Sequence, residues 1–440
     1  MRRWDPNVVG VFALLGLGSC GQNRAALGDG GLITDAPTND VSTADATNPS
    51  DAATLPDASP DAPLITGSAL QISDVSILFP LPTSLAERNS GMLTAASADT
   101  AGELLPAGVY DAIGPLLALS QQIVRQDLRV VAVRIDPCFA VLAPSPTGEG
   151  CEAQLRLILQ PISEFPSDTG VHIAFDAGVH TFYRLTRAQV YAIKDALVAL
   201  RLANSGGEYL GPLAPHPLLV AQGLPGPYGV GLRSLILSVA GASTLTRVAT
   251  MSSTSSSFWQ FRIFDVTDAA NAQVAVRDIA TLPAGTTTHA LTAFNVTAPD
   301  ASFSPAPASP DSFNELASTT NAQNLTTAAR ATQFDGLVRT ENPRLTTPET
   351  VACAPCHFTM TARTHIAEPR FGLQTSASSA AFMRDFTVLS RIDLRPMFPA
   401  LGSEFNVHAF SYNGTDAAII QRTVNESAAI VEYFVRSPAP

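Results

Sequence analysis

The chain has 440 residues, a formal net charge of −12 and a hydrophobic fraction of 46%. This length allows two domains, and the apolar fraction supplies enough material for a core. Because the charge is acidic and no basic cluster is present, the composition argues against nucleic-acid binding and against electrostatic binding to anionic lipid head groups.

The first 19 residues have the features of an export signal. Arg2 and Arg3 precede an apolar run over residues 8–17. A positive amino terminus followed by about ten apolar residues is typical of a signal peptide, and the run is too short to span a bilayer as a mature helix. We therefore predict a bacterial secretion signal over residues 1–19.

The apolar run ends in Leu17-Gly18-Ser19-Cys20, which resembles the lipobox of bacterial lipoproteins. The resemblance implies cleavage before Cys20 and attachment of lipid to its sulfur, so that acyl chains anchor the mature chain in a membrane. Gly21 follows, where an Asp would resemble an inner-membrane retention signal, and this favours the outer membrane on its periplasmic or surface face. An ordinary secretory signal with Cys20 nearby by chance is the alternative.

Residues 20–64 are predicted to be a disordered tether that begins at the lipid-bearing cysteine. The segment is rich in Asp, Ala, Pro and Thr, with seven Asp and Arg24 as its one basic residue. Such a composition has too little apolar surface to fold, and it would hold the rest of the chain away from the membrane.

Residues 65–300 are predicted to form a β-rich domain, with a sandwich as one candidate architecture and no role assigned. One helix is predicted over Thr186–Leu202, with Thr186 as its cap and a Gly-rich end. Alternating or β-branched apolar segments bounded by turn residues predict strands. These segments are Leu128–Val141, Ala153–Ile162, Val171–Leu185, Leu232–Ala240, Phe258–Val266, Ala272–Ile279 and His289–Val296.

Cys138 and Cys151 lie between two of these apolar segments. In an exported protein, such a pair usually closes a disulfide, here a short loop that would stabilise the fold by about 3 kcal/mol. We predict a structural disulfide with no redox role.

Residues 301–312 contain several prolines and are predicted to be a linker. Beyond it, helical patterns replace strand patterns, including Thr326–Leu337 and Thr415–Val435. The whole prediction is an α+β chain in which a β-rich central domain is followed, over residues 313–440, by a mainly α-helical domain like cytochrome c.

That last region contains Cys353-Ala354-Pro355-Cys356-His357, a C-x-x-C-H sequence. This is the attachment signature of a c-type haem, since two thiols on one turn can form thioethers with the porphyrin and the adjacent imidazole becomes the proximal iron ligand. Haem c is attached outside the bacterial inner membrane, so the export signal supports one haem at this site. Alternatively, Cys353 and Cys356 form a disulfide or a redox pair and His357 is incidental.

Residues 334–357 resemble the haem-binding stretch of bacterial dihaem cytochrome c peroxidases. The shared pattern is a helix ending near Gly336-Leu337, a turn of Asn342-Pro343-Arg344-Leu345, a short polar loop and the C-x-x-C-H. Those peroxidases have two such motifs and this chain has one. The resemblance therefore implies haem attachment at Cys353 and Cys356 with His357 as proximal ligand, without a dihaem mechanism.

The sixth iron ligand has several candidates. Met397, flanked by prolines, resembles the distal methionine of small cytochromes c. His408 and His365 are alternatives that would give a lower reduction potential, and an open position is another. His172 and His180 lie eight residues apart on a predicted strand, too far to chelate one metal alone, and are predicted to be structural.

The sequence as a whole predicts an envelope lipoprotein that transfers single electrons between an unidentified redox partner and an acceptor. One alternative is a non-haem surface lipoprotein whose β-rich domain binds a protein or a glycan. The other is a peroxidase-like haem enzyme with an open distal position. Visible absorption distinguishes the electron-transfer protein from the non-haem lipoprotein. Reactivity with peroxide or carbon monoxide distinguishes it from the peroxidase-like enzyme.

Overall fold

A large antiparallel sheet organises the part of the chain that the computed structural model describes. The described residues are 70–118, 121–140, 151–164, 170–209, 212–255, 257–295, 300–382 and 407–437. The predicted signal peptide, Cys20, the tether and Met397 lie outside these ranges. Within them, no helix has both the length and the apolar character that crossing a membrane requires.

The strands follow the chain from the first described residues to the last helix. They are β1 (Ser76–Leu78), β2 (Ala98–Asp99), β3 (Gly102–Glu103), β4 (Leu116–Ala118), β5 (Gln121–Ile123), β6 (Leu128–Ala140), β7 (Cys151–Glu164), β8 (His172–Ala174), β9 (Gly178–Arg184), β10 (Leu245–Ser255), β11 (Phe258–Asp268), β12 (Gln273–Arg277), β13 (His289–Asn295), β14 (Asp300–Ser304), β15 (Phe410–Asn413) and β16 (Asp416–Ile419). The main sheet has the order β1-β6-β7-β9-β10-β11-β13-β14, with β8 paired to β7 and β12 paired to β11.

Helices occur along the whole described part of the chain. They are α1 (Ile72–Val75), α2 (Leu85–Gly91), α3 (Ala107–Ile113), α4 (Arg187–Ala203), α5 (Pro217–Gln222), α6 (Pro227–Leu237), α7 (Thr319–Gln323), α8 (Thr327–Glu341), α9 (Cys353–Thr361), α10 (Glu368–Phe371) and α11 (Gln421–Arg436). The longest are α4, α8 and α11. A π-helical turn over Ala362–Ala367 joins α9 to α10.

The two faces of the sheet contribute to two different hydrophobic cores. Successive side chains of a strand point to opposite faces, and in β11 Phe264 and Val266 enter the first core while Trp259 and Phe261 enter the second. The first core includes α4 and α6, and α4 packs against β6 and β7. The second core includes α8 and α9, and α9 packs against β13. The helix that carries the C-x-x-C-H motif therefore lies on the second face of the sheet.

The mixed α+β class with a β-rich region is confirmed, and so is the predicted helix that begins after Thr186. The hydroxyl of Thr186 accepts a hydrogen bond from Gln189 N at 3.2 Å, and Gln189 Oε1 accepts one from Thr186 N at 2.8 Å. This reciprocal pair is a capping box, which satisfies two N–H groups at the start of α4. Among the described strands, however, the long ones form one sheet, so a sandwich of two large sheets is not what these residues adopt.

The strand predicted over Leu232–Ala240 is wrong, because most of this segment belongs to α6. Pro227 occupies the first turn, where the missing N–H of proline costs nothing. The buried side chains Tyr228, Leu232 and Ile236 recur every four residues, which is helical spacing. The apolar run alone did not distinguish a buried helix from a buried strand.

The segment around residue 300, where a linker was predicted, begins with a strand. Residues 300–304 form β14 rather than the start of a linker, and Ala301 and Phe303 alternate into the second core. The last part of the chain packs back against the sheet, since Phe410, Val424 and Phe434 belong to the first core. The described residues therefore belong to one compact unit in which the carboxy-terminal helices share cores with the sheet.

Candidate functional site

Cys353, Cys356 and His357 lie on the first turns of α9. Positions i, i+3 and i+4 of a helix share one face, so the motif presents two thiols and an imidazole side by side. These three side chains are partly exposed, whereas every other residue from Val351 to Thr361 is buried. The chemically active side chains are thus the ones that this helix leaves accessible.

The start of α9 is held by a strand of the sheet. The first N–H groups of a helix have no partner within it, and Ala354 N donates to His289 Nδ1 at 3.4 Å. Burial lowers the pKa of His289 to about 4, so the ring is neutral at pH 7 and can accept this hydrogen bond. His289 belongs to β13, which therefore fixes where the motif helix begins.

The turn before the motif is closed by its own asparagine. Asn342 Oδ1 accepts from Arg344 N at 2.9 Å, and Asn342 Nδ2 donates to Ala380 O at 2.8 Å. Asn342 is buried, so both halves of its amide are used in a place where unpaired polar atoms would be costly. The turn that carries the peroxidase resemblance thus has a defined conformation.

Arg422 of α11 ties this turn to the last helix. Its guanidinium donates to Thr346 Oγ1 at 2.7 Å, to Thr346 O at 2.9 Å and to the carbonyl of Thr340. It also donates to Glu426 Oε1 at 2.9 Å. The planar donor fork of arginine suits several acceptors at once, so one buried side chain joins α8, the turn and α11.

His357 is oriented by a backbone carbonyl. Its Nδ1 lies 2.6 Å from Val407 O, so Nδ1 carries the proton that it donates and Nε2 is the nitrogen with the free lone pair. The ring packs against Phe261 with centroids 4.9 Å apart. Burial lowers the pKa of His357 to about 4, which keeps the ring neutral at pH 7. This tautomer, fixed by a carbonyl, is the one in which histidines bind metals through Nε2.

The two motif cysteines are not bonded to each other. Burial raises the pKa of Cys353 to about 12 and also raises that of Cys356. A redox dithiol works through a thiolate of lowered pKa, and here both groups are protonated thiols at pH 7. The surroundings of these cysteines therefore disfavour the alternative in which they act as a redox pair.

A buried cluster of charges adjoins Cys356. It consists of Arg134 and Asp136 of β6, Arg156 of β7, and Arg422 and Glu426 of α11. Arg156 lies 3.2 Å from Asp136, and Arg134 pairs with Glu426. Arg134 Nε lies 3.3 Å from Asp136 Oδ1, and the buried Nε of Arg156 has no hydrogen-bond partner among the described residues. Three arginines against two carboxylates leave the cluster with a formal charge of +1, so it is suited to an additional anionic group.

His408 is engaged in a different network. Its Nε2 lies 2.9 Å from Asp176 Oδ1 and its Nδ1 lies 3.0 Å from Ser411 Oγ, while Trp259 donates to the other oxygen of Asp176 at 2.6 Å. All four side chains are buried. His408 also follows Val407, on the Nδ1 side of the His357 ring. Both ring nitrogens of His408 are therefore engaged in holding the 407–411 segment in place, and neither is free to bind iron.

The other distal candidates are Met397, which lies outside the described residues, and His365. His365 is partly exposed in the π-helical turn that continues α9, and such turns occur frequently at functional sites.

Cys138 and Cys151 form a disulfide between the ends of β6 and β7. Their sulfur atoms are 2.10 Å apart and their Cα atoms 5.0 Å apart, which is a normal bridging distance. This pair lies at the end of a hairpin in the main sheet, and Cys138 itself is exposed.

A cleft of about 920 Å³ opens beside this hairpin. Its walls include Phe139, Arg184, Arg247 and Asp265, and the motif cysteines are not among its lining residues. Arg247 is ion-paired with Glu349 at 2.5 Å and with Asp265 at 3.3 Å. The volume is in the range of ligand pockets, but the cleft is separate from the thiols of the motif.

Sequence reasoning found the motif and missed the residues that surround it. His289, Val407 and Arg422 are 65, 50 and 76 positions away from their hydrogen-bond partners. No local pattern reports contacts over such separations.

The described residues include no group of three or more His, Cys, Asp or Glu side chains that could hold a metal ion together. The chemistry of the donor set nevertheless fits a covalently bound haem, since free thiols lie beside an imidazole whose Nε2 is available and next to a cationic cluster. Comparison with protein families, curated proteins and solved structures found no match to this chain.

Proposed function

We propose that this chain is a lipid-anchored electron-transfer protein of the bacterial envelope that carries one c-type haem on Cys353, Cys356 and His357. The observation that carries the proposal is the position of these three side chains on one partly exposed face of α9. Haem attachment requires both thiols and the imidazole on one side of the chain.

Each residue has a distinct role in this proposal. Cys353 and Cys356 provide the two sulfur atoms that form thioethers with the vinyl groups of the porphyrin. His357 is the proximal ligand through Nε2, and the carbonyl of Val407 holds its ring in orientation. Haem held in this way supplies a one-electron ferric–ferrous couple. The electron would come from a reduced redox protein and pass to an oxidised acceptor outside the cytoplasm.

The anchor in this proposal is lipid on Cys20. Its support is the lipobox at Leu17-Gly18-Ser19-Cys20 together with the acidic tether that follows. A Cys20→Ala variant should leave the membrane fraction while keeping its haem. Retention of this variant in the membrane fraction would contradict lipid anchoring.

Covalent haem is tested by the pyridine haemochrome spectrum of the chain made in a host with haem c maturation machinery. The c-type α-band should be present in the native chain and absent from a Cys353→Ala, Cys356→Ala double variant. A Cys138→Ala, Cys151→Ala double variant is the matched control, since it removes two sulfurs from the same fold and should keep the band. A colourless native chain that is exported and folded would reject the proposal in favour of a non-haem binding lipoprotein.

Electron transfer is separated from peroxidase activity by the reactions of the isolated protein. The reduced protein should be reoxidised by an oxidised cytochrome and should not consume peroxide or bind carbon monoxide. Rapid turnover with peroxide would instead support the enzyme.

A further inference from the structure

His180 lies on the same face of the sheet as the ring that contacts His357. In the strand register His180 is opposite Ala249 of β10, and Phe261 of β11 is opposite Met251, two residues further along β10. Residues i and i+2 of a strand point to the same side. His180 and Phe261 therefore face the same side, and Phe261 packs against the imidazole of His357.

The imidazole of His180 is partly exposed and makes no hydrogen bond within the described part of the chain. Burial lowers its pKa well below the usual range, and the nearby positive charges of Arg156 and Arg134 lower it further. Another histidine of the sheet, His289, differs in having a hydrogen-bond partner, since it accepts from Ala354 N.

The charged groups around His180 are the same ones that adjoin Cys356. Arg134 and Arg156 influence both residues electrostatically. The buried Nε of Arg156 has no hydrogen-bond partner among the described residues, whereas that of Arg134 is ion-paired with Asp136 at 3.3 Å. Haem carries two propionate carboxylates, and unpaired guanidinium nitrogens are the groups that such carboxylates pair with. The thiols thus come from α9, the imidazole of His180 comes from β9, and the cationic groups come from β6 and β7.

We propose that His180 would be the second protein ligand of the haem iron, in addition to His357. This inference rests on the proposed function, because it requires haem on the motif. It replaces Met397 and His408 as distal ligands and makes the iron site bis-histidine, joined to both α9 and the main sheet. Such ligation places the reduction potential below that of a histidine–methionine site.

The test is the spin state of the iron in single variants whose haem content is measured separately. The native protein should be six-coordinate and low-spin by visible absorption and electron paramagnetic resonance. His180→Ala should bind as much haem by the pyridine haemochrome assay, yet be high-spin, and added imidazole should restore the low-spin spectrum. His172→Ala, which removes a buried histidine of neighbouring β8, is the matched control and should stay low-spin.

Two further variants distinguish the loss of an iron ligand from misfolding of the chain. His180→Met replaces one ligand by another and should remain low-spin with a raised reduction potential. Met397→Ala should leave the spectrum unchanged. The inference is overturned if His180→Ala stays low-spin, or if Met397→Ala is the variant that becomes high-spin. A native protein without covalent haem would reject the proposed function itself, which the haemochrome assay reports independently of spin state.

Discussion

Replacing Arg422 with methionine tests whether α11 holds the segment before the haem motif. Methionine fills similar volume but removes all four hydrogen bonds that the guanidinium donates to Thr340, Thr346 and Glu426. Each buried acceptor left unpaired costs about 1–3 kcal/mol. Loss of one partner of a buried ion pair costs about 3–5 kcal/mol. Because Thr346 Oγ1 and Glu426 keep other partners, we expect the free energy of unfolding to fall by about 3–5 kcal/mol, not by the sum of these terms.

The assay is urea unfolding followed by the fluorescence of Trp259, which is buried and bonded to Asp176. The midpoint should fall at an unchanged slope, since the slope reports the surface exposed on unfolding. Arg370→Met is the control, because Arg370 is exposed and its replacement should change stability by less than about 0.5 kcal/mol. A loss below about 1 kcal/mol in Arg422→Met would refute the assignment of this arginine as the tie between α11 and the turn.

Three other perturbations test the packing and the charges around the motif. Although burial raises the pKa of Glu426, the charges of Arg134 and other arginines lower it to about 2, from 4.5. Its contribution of about 3 kcal/mol to the free energy of unfolding should be complete above pH 4.5 and lost as the pH falls towards 2. The urea midpoint should therefore fall across this pH range in the native chain, and it should fall less in Glu426→Gln. Phe358 is 1% exposed and lies in the second core, so Phe358→Ala would leave a cavity there. The free energy of unfolding, followed through the thermal midpoint, should fall by about 3–5 kcal/mol. A fall under about 1 kcal/mol would contradict this packing. In Gly336→Ala, a Cβ would lie 2.9 Å from Pro310 O, so α8 should be destabilised by about 1–3 kcal/mol despite the better helix propensity of alanine; a more stable variant would contradict the close approach.

Local sequence patterns predicted several of the helices and strands. The capping residues at Thr186 and Gln189 indicated α4, and alternation over Ala153–Ile162 indicated β7, because both signals arise within a few residues. Patterns failed where tertiary packing decides the outcome. The apolar run at Leu232 reads equally as strand or helix until the first core is known.

The carboxy-terminal region shows the same limit at the level of domains. Proline residues around Pro305 suggested a linker, yet Ala301 and Phe303 are buried because β13 offers them an edge to pair with. The C-x-x-C-H motif was readable since its chemistry depends on spacing along one turn. Its surroundings, including His289 and His180, come from strands far away in sequence and follow from sheet register.

The most direct test of the haem assignment is mass spectrometry of the proteolytic peptide that contains Cys353, Cys356 and His357, taken from the mature exported protein. We expect this peptide to carry the added mass of one haem, and no other peptide to do so. A peptide with two free thiols, or with a Cys353–Cys356 disulfide, in protein from a host that attaches haem c, would contradict it.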